Sequence, residues 1–183
     1  MANGKRWVLM TFLGWLIGFV LVLCLSVLFD GMGLEGFQFI LGAGMGAGVS
    51  FMQWRLLKQQ GMDLRWVWFA VIGLSLPLLV YDLLDELGIY HQDGNTIVRV
   101  CIALGGLLAG ILQYTLFKTE HNRLWIAASL LGWSLAGMVV FAMDYTTRLS
   151  ASNLIIFLIN LLCILGGGVV LGWITEWFLR RIL

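Results

Sequence analysis

The segment ILGAGMGAG, residues 40–48, decides how this chain folds. Gly42, Gly44 and Ala47 have the G-x-G-x-x-A spacing of a loop that binds a dinucleotide at the start of a helix. Such a loop needs a strand before it and a βαβ unit around it. Here the glycines lie inside an apolar run of helical length, and small residues at i and i+4 let a neighbouring helix approach closely. We therefore interpret the segment as a helix–helix contact surface.

The composition of the whole chain is that of a membrane protein. Its 183 residues are 61% hydrophobic and only 11% charged, with one proline. A soluble domain needs about a quarter of its residues charged to cover its surface. A net charge of +1 offers no basic surface for nucleic acid. The three cysteines, Cys24, Cys101 and Cys163, lie in apolar segments, where we expect small hydrophobic side chains rather than disulfide partners.

Hydropathy predicts an all-α integral membrane protein with six transmembrane helices. The apolar runs are long enough to cross about 30 Å of hydrocarbon as helices. They cover residues 7–29, 36–57, 66–84, 97–117, 124–143 and 154–179. The first run is too long for a signal peptide and has no A-x-A cleavage site after it, so we expect it to be retained. The chain is predicted to be one transmembrane domain over residues 1–183.

The charges predict which side of the membrane each loop faces. Nine of the eleven basic residues fall on one side: Lys5, Arg6, Arg55, Lys58, Arg65, Lys118, Arg123, Arg180 and Arg181. Seven of the ten acidic residues fall on the other: Asp30, Glu35, Asp82, Asp85, Glu86, Asp93 and Asp144. Because basic residues accumulate on the cytoplasmic side, we expect both termini to be cytoplasmic. The expected location is the inner (plasma) membrane, with a thylakoid-type membrane as the alternative.

Three segments of the sequence resemble one another at a spacing of about 60 residues. Three positions recur every 59 residues, as Trp7/Trp66/Trp125, Gly14/Gly73/Gly132 and, in two copies, Asp85/Asp144. The even-numbered helices carry small-x-x-x-small pairs followed by a polar residue: Gly46, Ser50 and Gln53; Gly106, Gly110 and Gln113; Gly168, Gly172 and Thr175. This pattern predicts three tandem helical hairpins, over about 5–60, 61–120 and 121–183. Hairpins inserted in the same sense are related by a pseudo-threefold axis along the membrane normal.

Few residues of the sequence could support catalysis. His91 and His121 fall in predicted loops on opposite sides of the membrane, so they cannot share a metal ion or a haem. The sequence contains no H-E-x-x-H, C-x-x-C or G-x-S-x-G motif, and no charged residue deep in a predicted helix, where proton and ion pathways usually carry one. We expect a non-catalytic protein without a cofactor or a metal site.

The polar and aromatic residues inside the helices leave two interpretations open. Gln53, Gln113 and Asn160 either form interhelical hydrogen bonds, which we favour, or contact a ligand. Trp15 and Trp133 lie eight residues deeper than Trp7 and Trp125, where core packing is favoured over contact with lipid or an apolar ligand. The remaining tryptophans at the cytoplasmic helix ends are interpreted as an aromatic belt: Trp7, Trp54, Trp66, Trp125 and Trp177.

The segment YDLLDELGIYHQDGN, residues 81–95, is the richest in polar side chains. Asp82, Asp85 and Glu86 share one face of a helix end and could bind a divalent cation. The alternating acidic spacing of an EF-hand loop is missing, and acidic residues are expected on this side in any case. We therefore favour a solvated outer surface.

Two repeated motifs, L-G-W-x-x-[GA] and Q-[WY]-x-L, resemble segments of small uncharacterised bacterial multi-spanning proteins. They occur here as Leu13-Gly14-Trp15, Leu131-Gly132-Trp133, Gln53-Trp54 and Gln113-Tyr114. The resemblance implies no activity. In size and in number of predicted spans the chain is also similar to the substrate-capture subunits of energy-coupling-factor vitamin transporters.

Three functions remain open at this point. The first is a non-catalytic accessory or scaffold protein that packs against another membrane protein, a second copy of itself or lipid. The second is a solute-binding or transport subunit whose pocket lies between the hairpins and is lined by Gln53, Gln113, Asn160 and the deep tryptophans, with a small apolar ligand as one candidate occupant. The third, which we favour least, is a membrane enzyme that uses the outer acidic residues.

Overall fold

The computed structural model describes residues 4–89, 94–117, 123–148 and 152–182. Within these residues the structure is all-helical, as expected, and contains no strand. The helices are α1 (Gly4–Asp30), α2 (Phe39–Leu57), α3 (Arg65–Glu86), α4 (Gly94–Tyr114), α5 (Leu124–Phe141) and α6 (Asn153–Ile182). Short 3₁₀ helices follow α2 at Lys58–Gln60 and α5 at Ala142–Arg148.

Five of the described helices, all except α2, are long and apolar enough to cross a membrane. This confirms the membrane-like character that hydropathy predicts. The exception, α2, has 19 residues that include Gln53, Arg55 and four glycines, all of which lower its mean hydropathy. Its assignment as the sixth transmembrane helix therefore stays a prediction.

The six helices form a ring. Each helix packs against its neighbours in the chain, and α6 returns to pack against α1. Clusters of buried apolar side chains follow one another along the inside of the ring. We call the end that carries the start of α1 and the end of α6 the basic end, since Lys5, Arg6, Arg180 and Arg181 lie there. The opposite end, with Asp82 and Asp144, is called the acidic end.

Alternate glycines of ILGAGMGAG face opposite neighbours of α2. A Cβ atom on Gly48 would lie 2.5 Å from the carbonyl oxygen of Gly14 in α1. A Cβ atom on Gly42 would lie 2.6 Å from the carbonyl carbon of Leu74 in α3. Residues two apart on an α-helix point about 200° away from each other, so four alternating glycines leave room on both sides. The segment is helical and is not a nucleotide-binding loop.

The small-residue pairs of the other even-numbered helices lie at equivalent contacts. Gly46 packs against α3, as Gly106 and Gly110 pack against α5. Gly168 and Gly172 pack against α1, with added Cβ atoms 2.7 Å from Trp15 Cγ and 3.1 Å from the Val8 carbonyl oxygen. The Ser50 hydroxyl is buried and donates to the Gly46 carbonyl oxygen within α2. The glycines of each pair thus face the helix that comes next around the ring.

Residues far apart in the chain contact each other at the acidic end. The Asp82 carboxylate, near the end of α3, accepts hydrogen bonds from the backbone N–H groups of Gln38 (2.9 Å) and Phe39 (2.8 Å). These are N–H groups at the start of α2, which have no acceptor within the helix. Asp82 is buried and caps α2, so our prediction of a solvated acidic residue is wrong at this position. Arg99 and Asp144 form an ion pair at 2.7 Å and tie α4 to the segment after α5.

Candidate functional site: an apolar cavity on the ring axis

Three tryptophans meet on the axis at the basic end. The rings of Trp66 and Trp125 have centroids 5.1 Å apart, and those of Trp7 and Trp125 are 6.2 Å apart. All three side chains are at most 2% exposed. The belt interpretation is therefore wrong for these three, because the ring of helices turns the start of each odd-numbered helix inward. We call this group of three tryptophans the tryptophan plug.

Polar side chains of the even-numbered helices hold the plug in place. The indole N–H of Trp7 donates to Thr175 Oγ1 at 3.0 Å, and that of Trp125 donates to Gln113 Oε1 at 2.9 Å. Gln113 in turn donates through Nε2 to the carbonyl oxygen of Trp66 at 3.0 Å. These bonds join α1 to α6 and α4 to both α3 and α5. Thr175 and Gln113 occupy equivalent positions of the sequence pattern.

The other two amide side chains singled out in the sequence also make hydrogen bonds between segments. Gln53 is buried, and its Nε2 donates to Thr11 Oγ1 in α1 at 3.3 Å. The Asn160 Oδ1 atom accepts a bond of 2.8 Å from the Thr146 hydroxyl, in the 3₁₀ helix that follows α5. These contacts favour the interhelical role over the ligand-binding role for both amides.

A cavity of about 110 Å³ lies inside the ring, on the acidic-end side of the plug. Its basic-end wall includes Trp15 and Trp133, whose ring centroids are 6.0 Å apart. Every helix contributes to its lining, through residues that include Trp15, Met45, Leu78, Ile102, Trp133 and Ile164. Both tryptophans that the sequence placed below the belt therefore face this cavity as well as each other.

The chemistry of the cavity wall is apolar throughout. Its thirteen described lining residues are aliphatic, aromatic, methionine or glycine. Trp15 and Trp133 each carry an indole N–H group on this wall, and that of Trp15 has a described acceptor. It donates to the Ile164 carbonyl oxygen at 2.9 Å. A polar molecule would lose its hydrogen bonds with water on entering such a space, whereas an apolar one would not. The arrangement suits an apolar ligand.

The outer acidic segment is only partly described. Asp82 caps α2, Asp85 and Glu86 are exposed at the end of α3, and the prediction for Asp93 lies outside the described residues. His91 and His121 also lie outside them.

Sequence reasoning missed the cavity and the hydrogen-bonding roles of two hydroxyl side chains, Thr11 as the partner of Gln53 and Thr175 as the partner of Trp7. A void has no sequence pattern of its own. Thr11 and Thr175 could have been found, since each is a hydroxyl residue on the same helix face as a repeated small residue. No protein-family model, curated protein or solved structure shows significant similarity to this chain.

Proposed function

We propose that this protein is a non-catalytic membrane protein whose ring of helices binds an apolar ligand in the axial cavity. It keeps the non-catalytic character of the first hypothesis and takes the pocket between the helical hairpins from the second. The observation that carries it is the cavity itself, which all six helices line with apolar groups. For comparison, an engineered apolar cavity of about 150 Å³ in another protein stays dry when empty and binds benzene.

Filling the cavity would also stabilise the ring. An enclosed apolar cavity left empty costs about 24 cal/mol per Å³, which sets an upper bound of roughly 2–3 kcal/mol for this cavity of about 110 Å³. A ligand that restores van der Waals contacts with Trp15, Trp133 and their neighbours recovers part of that free energy. Occupation of the site is thereby coupled to the stability of the whole bundle.

We further propose that α2 is a sixth transmembrane helix and that both termini are cytoplasmic. A helix of 19 residues is about 28 Å long, close to the thickness of the hydrocarbon core. Twelve of its residues are buried between α1 and α3, so α2 needs less apolar side-chain surface than a helix that faces lipid. The nine basic residues on the side of the termini support the orientation.

The threefold hairpin repeat is part of the same proposal. Gly14, Gly73 and Gly132 each face the second helix of their own hairpin, namely α2, α4 and α6. The tryptophans that recur every 59 residues meet on the axis. Both relationships are what three hairpins around a common axis would produce.

The transport alternative has less support. A pocket for a polar solute needs the polar side chains Gln53, Gln113 and Asn160 on its wall, but the thirteen described lining residues include none of them. In addition, the tryptophan plug fills the axis between the cavity and the basic end.

The cavity can be tested by filling it with a side chain. A Cβ atom on Gly137, which lines the cavity, would lie 3.5 Å from Ile102 Cγ2, an ordinary contact distance. Gly137→Leu should therefore occupy the cavity without displacing the backbone. We expect toluene to raise the thermal unfolding temperature of the wild-type protein in detergent more than that of Gly137→Leu.

The matched control is Met138→Leu, because Met138 is 65% exposed on the outside of the same helix. Toluene should raise the unfolding temperature of this variant as much as that of the wild-type protein. The comparison therefore controls for effects of toluene on the micelle. Equal responses of the wild-type protein and Gly137→Leu would overturn the proposed function.

A further inference from the structure

The ring is closed between α1 and α6 over only half of its length. At the basic end, Trp7 is bonded to Thr175, Gly172 packs on Val8, and Trp15 is bonded to the Ile164 carbonyl oxygen. Beyond these contacts, toward the acidic end, every side chain of residues 19–30 in α1 is exposed or half-buried. The same is true of residues 153–166 in α6.

The two half-helices make described contacts with different neighbours. The acidic-end half of α1 packs on α2: a Cβ atom on Gly44 would lie 2.8 Å from the Val22 nitrogen, and Phe29 contacts Phe39 edge to face. The acidic-end half of α6 is instead tied to the segment after α5, through the bond from Thr146 to Asn160. The exposure of both half-helices indicates a gap between them.

The gap leads into the axial cavity. Phe19 of α1 and Ile164 of α6, which stand at the two edges of the gap, both line the cavity. Both helices are long and apolar enough to cross a membrane, so the medium outside the gap is the hydrocarbon of the bilayer. An opening of this kind connects the cavity sideways to one leaflet.

We propose that the cavity takes up an acyl chain of a bilayer phospholipid, which enters sideways between α1 and α6 from the leaflet at the acidic end. The proposal rests on the proposed function and names its ligand. The headgroup stays in the interface outside the ring, and the end of the chain reaches Trp15 and Trp133. An acyl chain satisfies the wholly apolar wall, and its tether to a headgroup explains why the site needs an opening toward lipid.

The path can be mapped with photoreactive lipids. The full chain is placed in phosphatidylcholine vesicles that contain a small fraction of phosphatidylcholine with a diazirine either at the end or in the middle of one acyl chain. After irradiation, adducts are assigned to residues by mass spectrometry. We expect the end label on Trp15 and Trp133, and the middle label on Phe19 and Ile164. Middle-label adducts on Leu78 and Phe141 instead would mean entry along the axis from the acidic end, and would overturn the sideways path.

Variants separate this proposal from the proposed function. Gly137→Leu should reduce the end-label adducts on Trp15 and Trp133 at least fivefold, whereas Met138→Leu should leave them unchanged. If toluene distinguishes the wild-type protein from Gly137→Leu but the lipid labels only outward-facing residues such as Val20 and Val100, the cavity binds an apolar ligand that is not an acyl chain. That result overturns the present inference and leaves the proposed function standing. If toluene also fails, both are overturned.

Discussion

Trp66 and Trp125 lie side by side in the tryptophan plug, 5.1 Å apart, but their indole N–H groups are in different situations. Trp125 donates to Gln113 Oε1, whereas among the described residues the buried N–H of Trp66 has no acceptor. The residue equivalent to Gln113 in the preceding hairpin, Gln53, bonds to Thr11 instead. Within the described part of the chain, the plug therefore has three similar rings but two indole hydrogen bonds.

This difference predicts unequal effects of removing the two indoles. Trp125→Phe leaves the buried Gln113 Oε1 without its donor, whereas Trp66→Phe removes an N–H that makes no described bond. Both variants lose a similar volume next to Phe117. We expect Trp125→Phe to lower the free energy of unfolding by about 1–3 kcal/mol more than Trp66→Phe does. Unfolding in mixed detergent micelles measures this, and equal losses for the two variants would contradict the assigned hydrogen bonds.

The glycine contacts predict which helix positions reject a side chain. A Cβ atom on Gly110 would lie 3.0 Å from Ile126 Cα and 3.0 Å from Ser129 Cβ. Gly110→Leu, and likewise Gly46→Leu, should force α4 from α5 or α2 from α3, and lower stability by about 1–3 kcal/mol. Gly137→Leu is the matched control, since its side chain has the cavity to occupy. Thermal unfolding in detergent distinguishes them, and unchanged stability of the first two variants would mean that these faces contact lipid.

The cap that α3 provides for α2 predicts a contrast between neighbouring acidic residues. Asp82→Ala removes the acceptor of two backbone N–H groups at the start of α2, with an expected cost of about 0.5–2 kcal/mol. Asp85 lies three residues later and is exposed. The loss of stability in Asp85→Ala should therefore be a few tenths of the loss in Asp82→Ala. Hydrogen exchange at residues 38–42 should rise in the first variant alone. Faster exchange in both, or in neither, would show that Asp82 is not the cap.

The charge distribution predicts the orientation of the chain. With Cys24, Cys101 and Cys163 replaced by alanine, His91→Cys should react with an impermeant maleimide in intact cells, and His121→Cys should react only after lysis. Equal access to both positions, or access to position 121 alone, would reverse or refute the orientation with cytoplasmic termini.

The sequence predicted the parts of this fold that depend on local composition. Helix number and helix type follow from the length of the apolar runs, and the alternating glycines of residues 40–48 predict close helix contacts. The role of Trp7, Trp66 and Trp125 was predicted wrongly. A tryptophan at a helix end is compatible with the membrane interface and with a core, and the choice depends on which way the ring turns each helix. Asp82 was misassigned because its partners lie 43 and 44 residues away, in a helix whose position the sequence does not specify.

The contact between α1 and α6 has a consequence for how the protein is made. The hydrogen bond from Trp7 to Thr175 joins residues 168 positions apart. The indole N–H of Trp7 in α1 therefore has no acceptor at Thr175 until α6 has been synthesised. Until α6 is in place, the other helices form an open arc in which the α6-facing side of α1 is uncovered. Two such arcs in one membrane can complete each other, α6 of one chain taking its place on α1 of another. Delayed synthesis of the final hairpin should therefore favour exchanged dimers over closed single rings.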